Sequence, residues 1–301
     1  MRTALLTGSL LLGVTAASAA TYVPVVPPAG STNTKIQGIN DRNEIAGGYY
    51  TADGIEHGFA GTTDGTYQTF DLGARFTEPH HINDMGMMVG NTDDGQNDGI
   101  NFAFERSLKS GKTFYIKVGH VVIQDGQAYG INDPGVVVGY GLNPDTSGYY
   151  AQKGRYTGDL TISQSSLIEP RGINASNVVV GTYLDSAIGY PSHGFILQGG
   201  VSTQIDYPDA RAVGTELNDI NDSGMAVGEW LDAHRRPHPF EYNTATSTFK
   251  ALRPPGSGYA QAWAINGHGL IALYAEDAGA SFIYCPKITG CPTGEAAVRG
   301  R

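Results

Sequence analysis

Hydrophobic and polar positions alternate with a period of two in many short stretches of this chain. Clear examples occupy residues 44–50, 136–140, 178–183 and 225–230, each directly preceded by Gly or Asn. The chain contains 42 Gly and 15 Pro, which interrupt every window long enough for a helix. Because a strand places successive side chains on opposite faces, the pattern predicts short β-strands and an all-β fold.

An Ile-Asn dipeptide that opens a tight turn recurs six times along the chain. Its asparagines are spaced 43, 49, 42, 47 and 45 residues apart and are Asn40, Asn83, Asn132, Asn174, Asn221 and Asn266. A period in this range is typical of propellers and solenoids, since one unit cannot bury its apolar face alone. The repeat therefore predicts six similar units.

Each unit contains four hydrophobic runs. One run enters the Ile-Asn turn, one follows it, one carries a His-Gly-Phe signature in its best copies, and one comes last, at residues 67–72 and 160–165 in the first and third units. Four short strands joined by Asp-Gly, Asn-Asp and Pro turns are typical of one propeller blade. We therefore predict a six-bladed β-propeller of four-stranded blades.

The two ends of the chain supply a test of ring closure. The last unit has no fourth run, whereas residues 22–26 resemble residues 204–208 and precede the first unit. We expect this N-terminal strand to join the last blade, which would remove two exposed sheet edges. Residues 21–285 would then form a single domain, followed by a tail over residues 286–301. An irregular array of β-sandwiches is the alternative.

Residues 1–20 have the features of a secretory signal peptide. Arg2 supplies the positive charge, a short apolar stretch follows, and small residues at 16–20 form a cleavage site. The apolar stretch is too short to anchor the chain in a bilayer. We expect a monomer that is extracellular or periplasmic, with no membrane attachment. A net charge of −10 disfavours nucleic acid as a partner.

Cys285 and Cys291 are the only cysteines. In an oxidising compartment they predict a local disulfide that holds the chain end. Metal binding would need further Cys or His close by, and the sequence places none there. We therefore predict neither a metal nor another cofactor.

The repeated phrases resemble those of the bacterial HAF-type "probable extracellular repeat" family. The best matches are residues 220–224 (Ile-Asn-Asp-Ser-Gly), 193–195 (His-Gly-Phe) and 203–208 (Thr-Gln-Ile-Asp-Tyr-Pro). The fourth unit, with Asn-Ala-Ser-Asn at 174–177, and the last unit depart from the phrase. The resemblance covers nearly all of the mature chain. It implies export and a propeller-like fold, and it implies no assigned reaction.

Two groups of polar residues suggest metal binding but fit structural roles better. The Asn-Asp-x-Gly phrases and the acidic loop at 93–98 have oxygen ligands that suit calcium. However, Asn and Asp also bond to their own turn backbone, and the loop lacks the EF-hand pattern. His57, His193 and His238 share one repeat position, so in a ring they would lie too far apart for one ion. We expect local hydrogen bonds from them.

Two positions of the repeat vary while the rest of it is nearly constant. They are the second and the fourth residue before each Ile. If these positions face the central channel, their polar, aromatic and charged side chains suit a small ligand or a sugar. The predicted ligand-binding residues are Glu78, His80, Tyr129, Glu169, Arg171, Glu216, Asn218 and Trp263. Packing between blades is the alternative role for all of them.

The sequence thus favours a secreted binding or interaction module whose ligand is a saccharide or an extracellular protein. One alternative is a carbohydrate-active enzyme, a lyase or glycosidase, that uses Glu169, Arg171, His80 and Tyr129. Another is a purely structural surface protein. No motif for nucleophilic hydrolysis or phosphate binding occurs, so we assign no catalytic residue.

Overall fold

The computed structural model describes residues 20–93, 100–141, 148–165, 167–185, 191–287 and 291–292. The predicted signal peptide, apart from Ala20, and most of the predicted tail lie outside these residues. The described residues form β-strands and no helix, which confirms the predicted all-β fold. None of them belongs to a helix that could cross a lipid bilayer.

The described strands form five sheets, in which each Ile-Asn repeat contributes an antiparallel group. The fourth and fifth groups share one eight-stranded sheet, joined by a single parallel pair between Ser192 and Gly214. The first group contains β2 (Asn33–Ile39), β3 (Glu44–Tyr50), β4 (Glu56–Thr62) and β5 (Tyr67–Phe70). The second contains β6 (Thr77–Ile82), β7 (Met87–Asp93), β8 (Asn101–Ser107) and β9 (Thr113–Tyr115). The sixth contains β24 (Ala260–Ile265), β25 (Ile271–Ala275), β26 (Ala280–Cys285) and, from the start of the chain, β1 (Thr21–Pro24).

The third group contains β12 (Gln127–Ile131), β13 (Val137–Tyr140), β14 (Tyr149–Gln152) and β15 (Arg155–Asp159). The fourth contains β16 (Ile168–Ile173), β17 (Val179–Leu184), β18 (Ser192–Gln198) and β19 (Val201–Ile205). The fifth contains β20 (Gly214–Ile220), β21 (Met225–Leu231), β22 (Pro237–Asn243) and β23 (Thr248–Ala251).

Two details differ from the four-strand pattern expected from the sequence. The outer strand of the third group is β15, and residues 160–165, where a strand was expected, form its loop. A short hairpin, β10 (Lys117–Val118) and β11 (Val121–Val122), extends from the second group and pairs through Lys117 with Arg155 of the third. The extra residues of the longer second repeat build this hairpin.

The N-terminal strand completes the sixth group. β1 runs antiparallel to β26, with Thr21 opposite Cys285 and Pro24 opposite Phe282. Cys285 also lies at disulfide distance from Cys291, with the two Cα atoms 5.8 Å apart. The two ends of the described chain are thus held against the same sheet.

Hydrophobic cores lie between neighbouring groups. Ile36, Ile45 and Phe59 of the first group pack with Ala264 and Ile283 of the sixth, and all five side chains are fully or almost fully buried. Each group buries one face of its sheet against the next group, so no group has a complete core of its own.

The Ile-Asn turns lie together on one side of the molecule, which we call the turn face. In the first turn the side-chain oxygen of Asn40 accepts the amide hydrogens of Arg42 and Glu44. The residue three after each Asn has a left-handed backbone, with φ between 58° and 82°. These residues are Asn43, Gly86, Gly135, Asn177, Gly224 and Gly269. Only Gly and Asn adopt this conformation readily, which explains their alternation there.

The same asparagines connect all six groups in a circle. The side-chain nitrogen of Asn40 donates to the carbonyl of Asn83 at 3.0 Å, and each later Asn donates to the carbonyl of the next one. The last, Asn266, donates to the carbonyl of Asn40 at 3.0 Å. Since the strands alternate in direction, the connections from second to third strand lie on the opposite side, which we call the loop face.

Candidate functional site

A β-bulge in each inner strand, the strand that ends in Ile-Asn, places one residue on the axis of the circle. In β2, Ile36 lies opposite Gly47 and Gly38 opposite Ala46, so Gln37 has no cross-strand partner. The other unpaired residues are His80, Tyr129, Arg171, Asn218 and Trp263. A bulge re-aims the side chain of its extra residue, and all six of these side chains line one central cavity.

The glycine that faces each bulge has a steric reason. A Cβ on Gly47 would lie 2.0 Å from the carbonyl oxygen of Lys35. The equivalent glycines of the next four groups would clash with inner-strand carbonyls at 2.0–2.2 Å, and they are Gly90, Gly139, Gly181 and Gly228. In the sixth group Leu273 takes this place. The Gly of each repeated Val-Gly is therefore required because the bulged inner strand passes too close for a Cβ.

The axial side chains contact one another and leave little open space between them. Gln37 donates to Glu78 at 3.1 Å, and Glu78 lies 3.4 Å from the Nε2 of His80. The ring of His80 stacks on that of Tyr129, with centroids 4.6 Å apart. On the opposite side, Lys35 lies 4.6 Å above the ring of Trp263.

Arg171 is the centre of a second, buried set of contacts. Its guanidinium lies 2.7 Å from Glu169, 2.8 Å from Glu216 and 2.6 Å from the side-chain oxygen of Asn218. Asn218 in turn donates to Glu229 at 2.6 Å. Burial and the charge of Glu216 raise the pKa of Glu229 to about 8, so this carboxyl is protonated at neutral pH.

These contacts leave a central cavity of about 10 Å³, roughly the minimum that holds one water molecule. The expectation that Glu78, His80, Tyr129, Arg171 and Trp263 share one open cavity is therefore not met. Glu169, Glu216 and Asn218 are likewise engaged with Arg171. Packing between the groups, the alternative role, describes most of the predicted ligand-binding residues, because their side chains contact one another. The Nε of Arg171 and the Nε1 of Trp263 nevertheless have no hydrogen-bond partner among the described residues.

A pair that sequence reasoning missed closes the axis. The residue directly before Ile is small in four groups, but it is His81 in the second and Asp219 in the fifth, on opposite sides of the circle. Their side chains meet at 3.2 Å. Burial opposes protonation of His81, but the charge and hydrogen bond of Asp219 outweigh it and raise the pKa of His81. The sequence signal for this pair was the replacement of a small residue by His81 and Asp219 at the position directly before Ile.

Among the predicted ligand-binding residues, Glu78 also lines a larger cavity formed by the described residues. A cavity of about 570 Å³, which we call the mouth cleft, lies on the loop face beside the axis. Its polar lining consists of Tyr50, Asp53, Glu56, Arg75, Glu78, Asn91, Asn101 and Gln127. Three groups supply these residues, so the cleft arises only when the groups assemble.

The two glutamates of the mouth cleft differ in protonation. Burial and the charge of Glu78 raise the pKa of Glu56 to about 7, and the hydroxyl of Tyr50 donates to Glu56 at 2.8 Å. Burial also opposes ionisation of Glu78, but the hydrogen bond and charge of His80 lower the pKa of Glu78 to about 2. One carboxyl is thus half-protonated near pH 7 while its neighbour is ionised.

Asn91 lines the mouth cleft and has an acceptor without a partner. Its side chain is 3% exposed, and its Oδ1 is buried with no hydrogen-bond partner among the described residues. A buried acceptor without a partner costs about 1–3 kcal/mol. A ligand hydroxyl that met this oxygen, after a turn of the side chain toward the cleft, would recover that free energy.

The predicted turn and histidine roles are local, as expected. His57 and His193 contact Asp71 and Asp206 at 2.8 and 2.7 Å, and both stack on a neighbouring Tyr. Asp93 accepts the amide hydrogens of residues 75 and 76, while the rest of the acidic loop at 94–98 lies outside the described residues. Within the described part of the chain, no cluster of three or more His, Cys, Asp or Glu could hold a metal ion.

Comparisons with known proteins identify no relative. No family model and no curated protein matches the chain. Among solved structures, the WD40 β-propeller domain of Doa1 is similar at 10% identity and a TM-score of 0.45, covering 89% of this chain and 98% of that one. A chain of the mitotic checkpoint complex is similar at 9% identity and a TM-score of 0.49, covering 94% and 99%. Similarities at this level support no inference about what this chain binds or catalyses.

Proposed function

We propose that this chain is an exported, monomeric six-bladed β-propeller of the HAF-type repeat family, closed by its N-terminal strand. The circle of six Asn hydrogen bonds and the pairing of β1 with β26 support the ring. The repeated phrases and the cysteine pair support export, since disulfides persist in oxidising compartments.

The function we propose is that of a binding module that takes a saccharide in the mouth cleft. The observation that carries this proposal is the unpartnered acceptor of Asn91, which is buried and lines the cleft. Around it stand three carboxyls, two further amides, a tyrosine and an arginine. A ligand rich in hydroxyl groups can donate to and accept from all of these.

The size of the cleft favours a small ligand over a folded partner. Its volume of about 570 Å³ lies within the ~300–1,000 Å³ typical of small-ligand pockets. The axis beneath it is closed by the axial side chains, so a ligand would enter and leave on the loop face.

A glycan array followed by calorimetry tests the binding function. We expect the intact protein to bind at least one neutral oligosaccharide and Asn91→Ala to bind it about tenfold or more weakly, as the loss of a buried hydrogen bond predicts. Gln198→Ala, an exposed amide at the end of β18, is the matched control and should bind normally. An array without hits, or full affinity in Asn91→Ala, would contradict the proposal.

The unequal glutamates of the mouth cleft favour glycoside hydrolysis as a second candidate. A protonated Glu56 beside an ionised Glu78 has the pattern of a general acid and its partner carboxylate. This pair replaces Glu169, Arg171, His80 and Tyr129, which bond to one another on the axis. Turnover of a polysaccharide panel should fall as the pH rises through about 7 and vanish in Glu56→Gln; unchanged turnover in that variant would exclude the mechanism.

A further inference from the structure

The loop face carries a second cavity, larger than the mouth cleft and independent of it. This cavity, of about 700 Å³, lies between the fifth and sixth groups and we call it the groove. Residues 207–211, 230–239 and 251–260 supply its walls. None of the residues predicted from the sequence as ligand-binding lines it.

The floor of the groove is a rigid stack of rings. Trp230 lies between Tyr207 and His238, with ring centroids 5.4 and 4.2 Å away and interplanar angles of 12° and 20°. Tyr259 meets His238 edge to face at 6.0 Å. Trp230 is 7% exposed and its two faces are covered by these partners, so the stack forms a preorganised wall of low conformational entropy that offers ring edges to a ligand.

The acidic side chains in the groove already have hydrogen-bond partners. Asp209 accepts two hydrogen bonds from the guanidinium of Arg211, at 2.9 and 2.6 Å, and Arg211 lowers the pKa of Asp209 to about 2. Asp232 accepts the amide hydrogens of His234 and Arg236 at 2.8 and 3.0 Å. Both carboxylates are therefore held in place, and the charge of Asp209 is balanced by that of Arg211.

One of the two arginines that line the groove is unpaired. Arg211 is held by Asp209, and Arg235 and Arg236 lie in the adjoining loop. Asp277 lies at the edge of the groove, where it accepts from Ser257 and Gly258. The guanidinium of Arg253 is exposed, lines the groove and forms no hydrogen bond or ion pair with any described residue. Its backbone amide is held at 2.8 Å by the hydroxyl of Tyr22 in β1.

We propose that the groove binds an acidic saccharide, with a sugar carboxylate on Arg253 and the sugar ring near the stacked aromatic side chains. A planar guanidinium matches a carboxylate in bidentate geometry. The cavity volume is that of a small-ligand pocket and too small for a folded protein. The choice of an acidic sugar follows from the unpaired guanidinium of Arg253 in the wall of the groove.

The test compares trigalacturonate with its fully methyl-esterified form, which keeps the rings and removes the charge. In calorimetry we expect the acid to bind at least tenfold more tightly than the ester and to weaken with added salt. Arg253→Gln should lower affinity for the acid about tenfold or more, whereas Arg155→Gln, an exposed arginine of β15, should have no effect.

Three results would overturn the proposal. The first is equal affinity for acid and ester, or no binding of either. The second is unchanged affinity in Arg253→Gln. The third is equal binding of a poly-glutamate peptide of the same charge, which would make the groove a general anion site. Asn91→Ala should leave trigalacturonate binding intact, so failure in the mouth cleft and failure in the groove are distinguishable.

Discussion

The turn face and the loop face use the same residue type in opposite ways. On the turn face each repeated Asn has its oxygen on one or two amides of its own turn and its nitrogen on the next group, as Asn83 does with Met85, Met87 and Asn132. On the loop face Asn91 is just as buried, yet its oxygen has no partner among the described residues.

This difference separates stability from binding. Polar groups that satisfy one another hold the ring together, whereas polar groups left without partners are available to a ligand. Repetition therefore marks the turn face, where every group needs the same contact. Variation is greater on the loop face, where the position of Asn91 is Gly48 in the first group and Thr182 in the fourth, although His57 and His193 repeat one contact there. The predictions below test this contrast.

The largest effect should come from the turn face. Asn83→Leu removes two hydrogen bonds to its own turn and one to Asn132, and leaves buried amides without partners. We expect a loss of about 3 kcal/mol in the free energy of unfolding, measured by urea denaturation. Asp84, at the same turn, is half-buried, and in Asp84→Asn the side chain can still accept the amide hydrogen of Asp41, so this variant should change the free energy of unfolding by less than about 1 kcal/mol. A loss of less than about 1 kcal/mol in Asn83→Leu would contradict the difference between the two faces.

The closeness of the groups at the axis predicts the next largest effect. A Cβ on Gly172 would lie 2.5 Å from the Cα of Asp219 in the neighbouring group. Gly172→Ala should therefore cost about 1–3 kcal/mol through overpacking. The control is Gly158→Ala in β15, where a Cβ would meet nothing within 4 Å. Equal thermal midpoints for the two variants would show that the axis tolerates expansion.

Protonation of buried Glu229 predicts a smaller, pH-dependent effect. Its pKa is raised to about 8 in the folded state, so its contribution to stability is complete below about pH 4.5 and is lost as the pH rises to about 8. Glu229→Gln keeps an acceptor for Asn218 and cannot ionise. Between about pH 5 and 8 the melting temperature should fall less steeply with pH in Glu229→Gln than in the intact protein. Glu276→Gln changes an exposed residue, and its melting temperature should follow that of the intact protein.

The smallest effect on stability should come from the mouth cleft. Asn91→Ala removes a buried polar oxygen that has no partner, and this gain offsets the cost of the cavity that the smaller side chain leaves, so the free energy of unfolding should change by less than about 1 kcal/mol. The same variant should bind oligosaccharide more weakly. A large loss of stability here would show that the amide of Asn91 supports the fold, and the contrast between the two faces would fail.

Much of the fold could be predicted because repetition exposes local requirements. The turn asparagines, the left-handed Gly or Asn three residues later, and the strand runs all follow from contacts within one unit. The outer strand of the third group was misplaced at 160–165, because several short polar and apolar runs in that region fit a strand equally well. The hairpin of β10 and β11 was missed, since its partner Arg155 belongs to the next group.

The candidate site was predictable only in part. Six varied residues were expected to converge on an axis, and they do, but their mutual bonds fill it. No spacing rule shows that His80 stacks on Tyr129 or that His81 meets Asp219, because these pairs join different groups. Glu56 and Asn91 also gave no signal, since each resembles an ordinary strand residue until the groups assemble.

The amino-acid sequence alone determines the all-β character, the repeat period and the turn that each unit needs, because these depend on contacts between residues close in the chain. Assembly of the units determines which polar side chains find partners and which remain free. Tyr22 holds the backbone beside Arg253 from 231 residues away, and such distances carry no periodic signal. The places where a ligand can bind are the places where assembly leaves hydrogen-bonding groups unused.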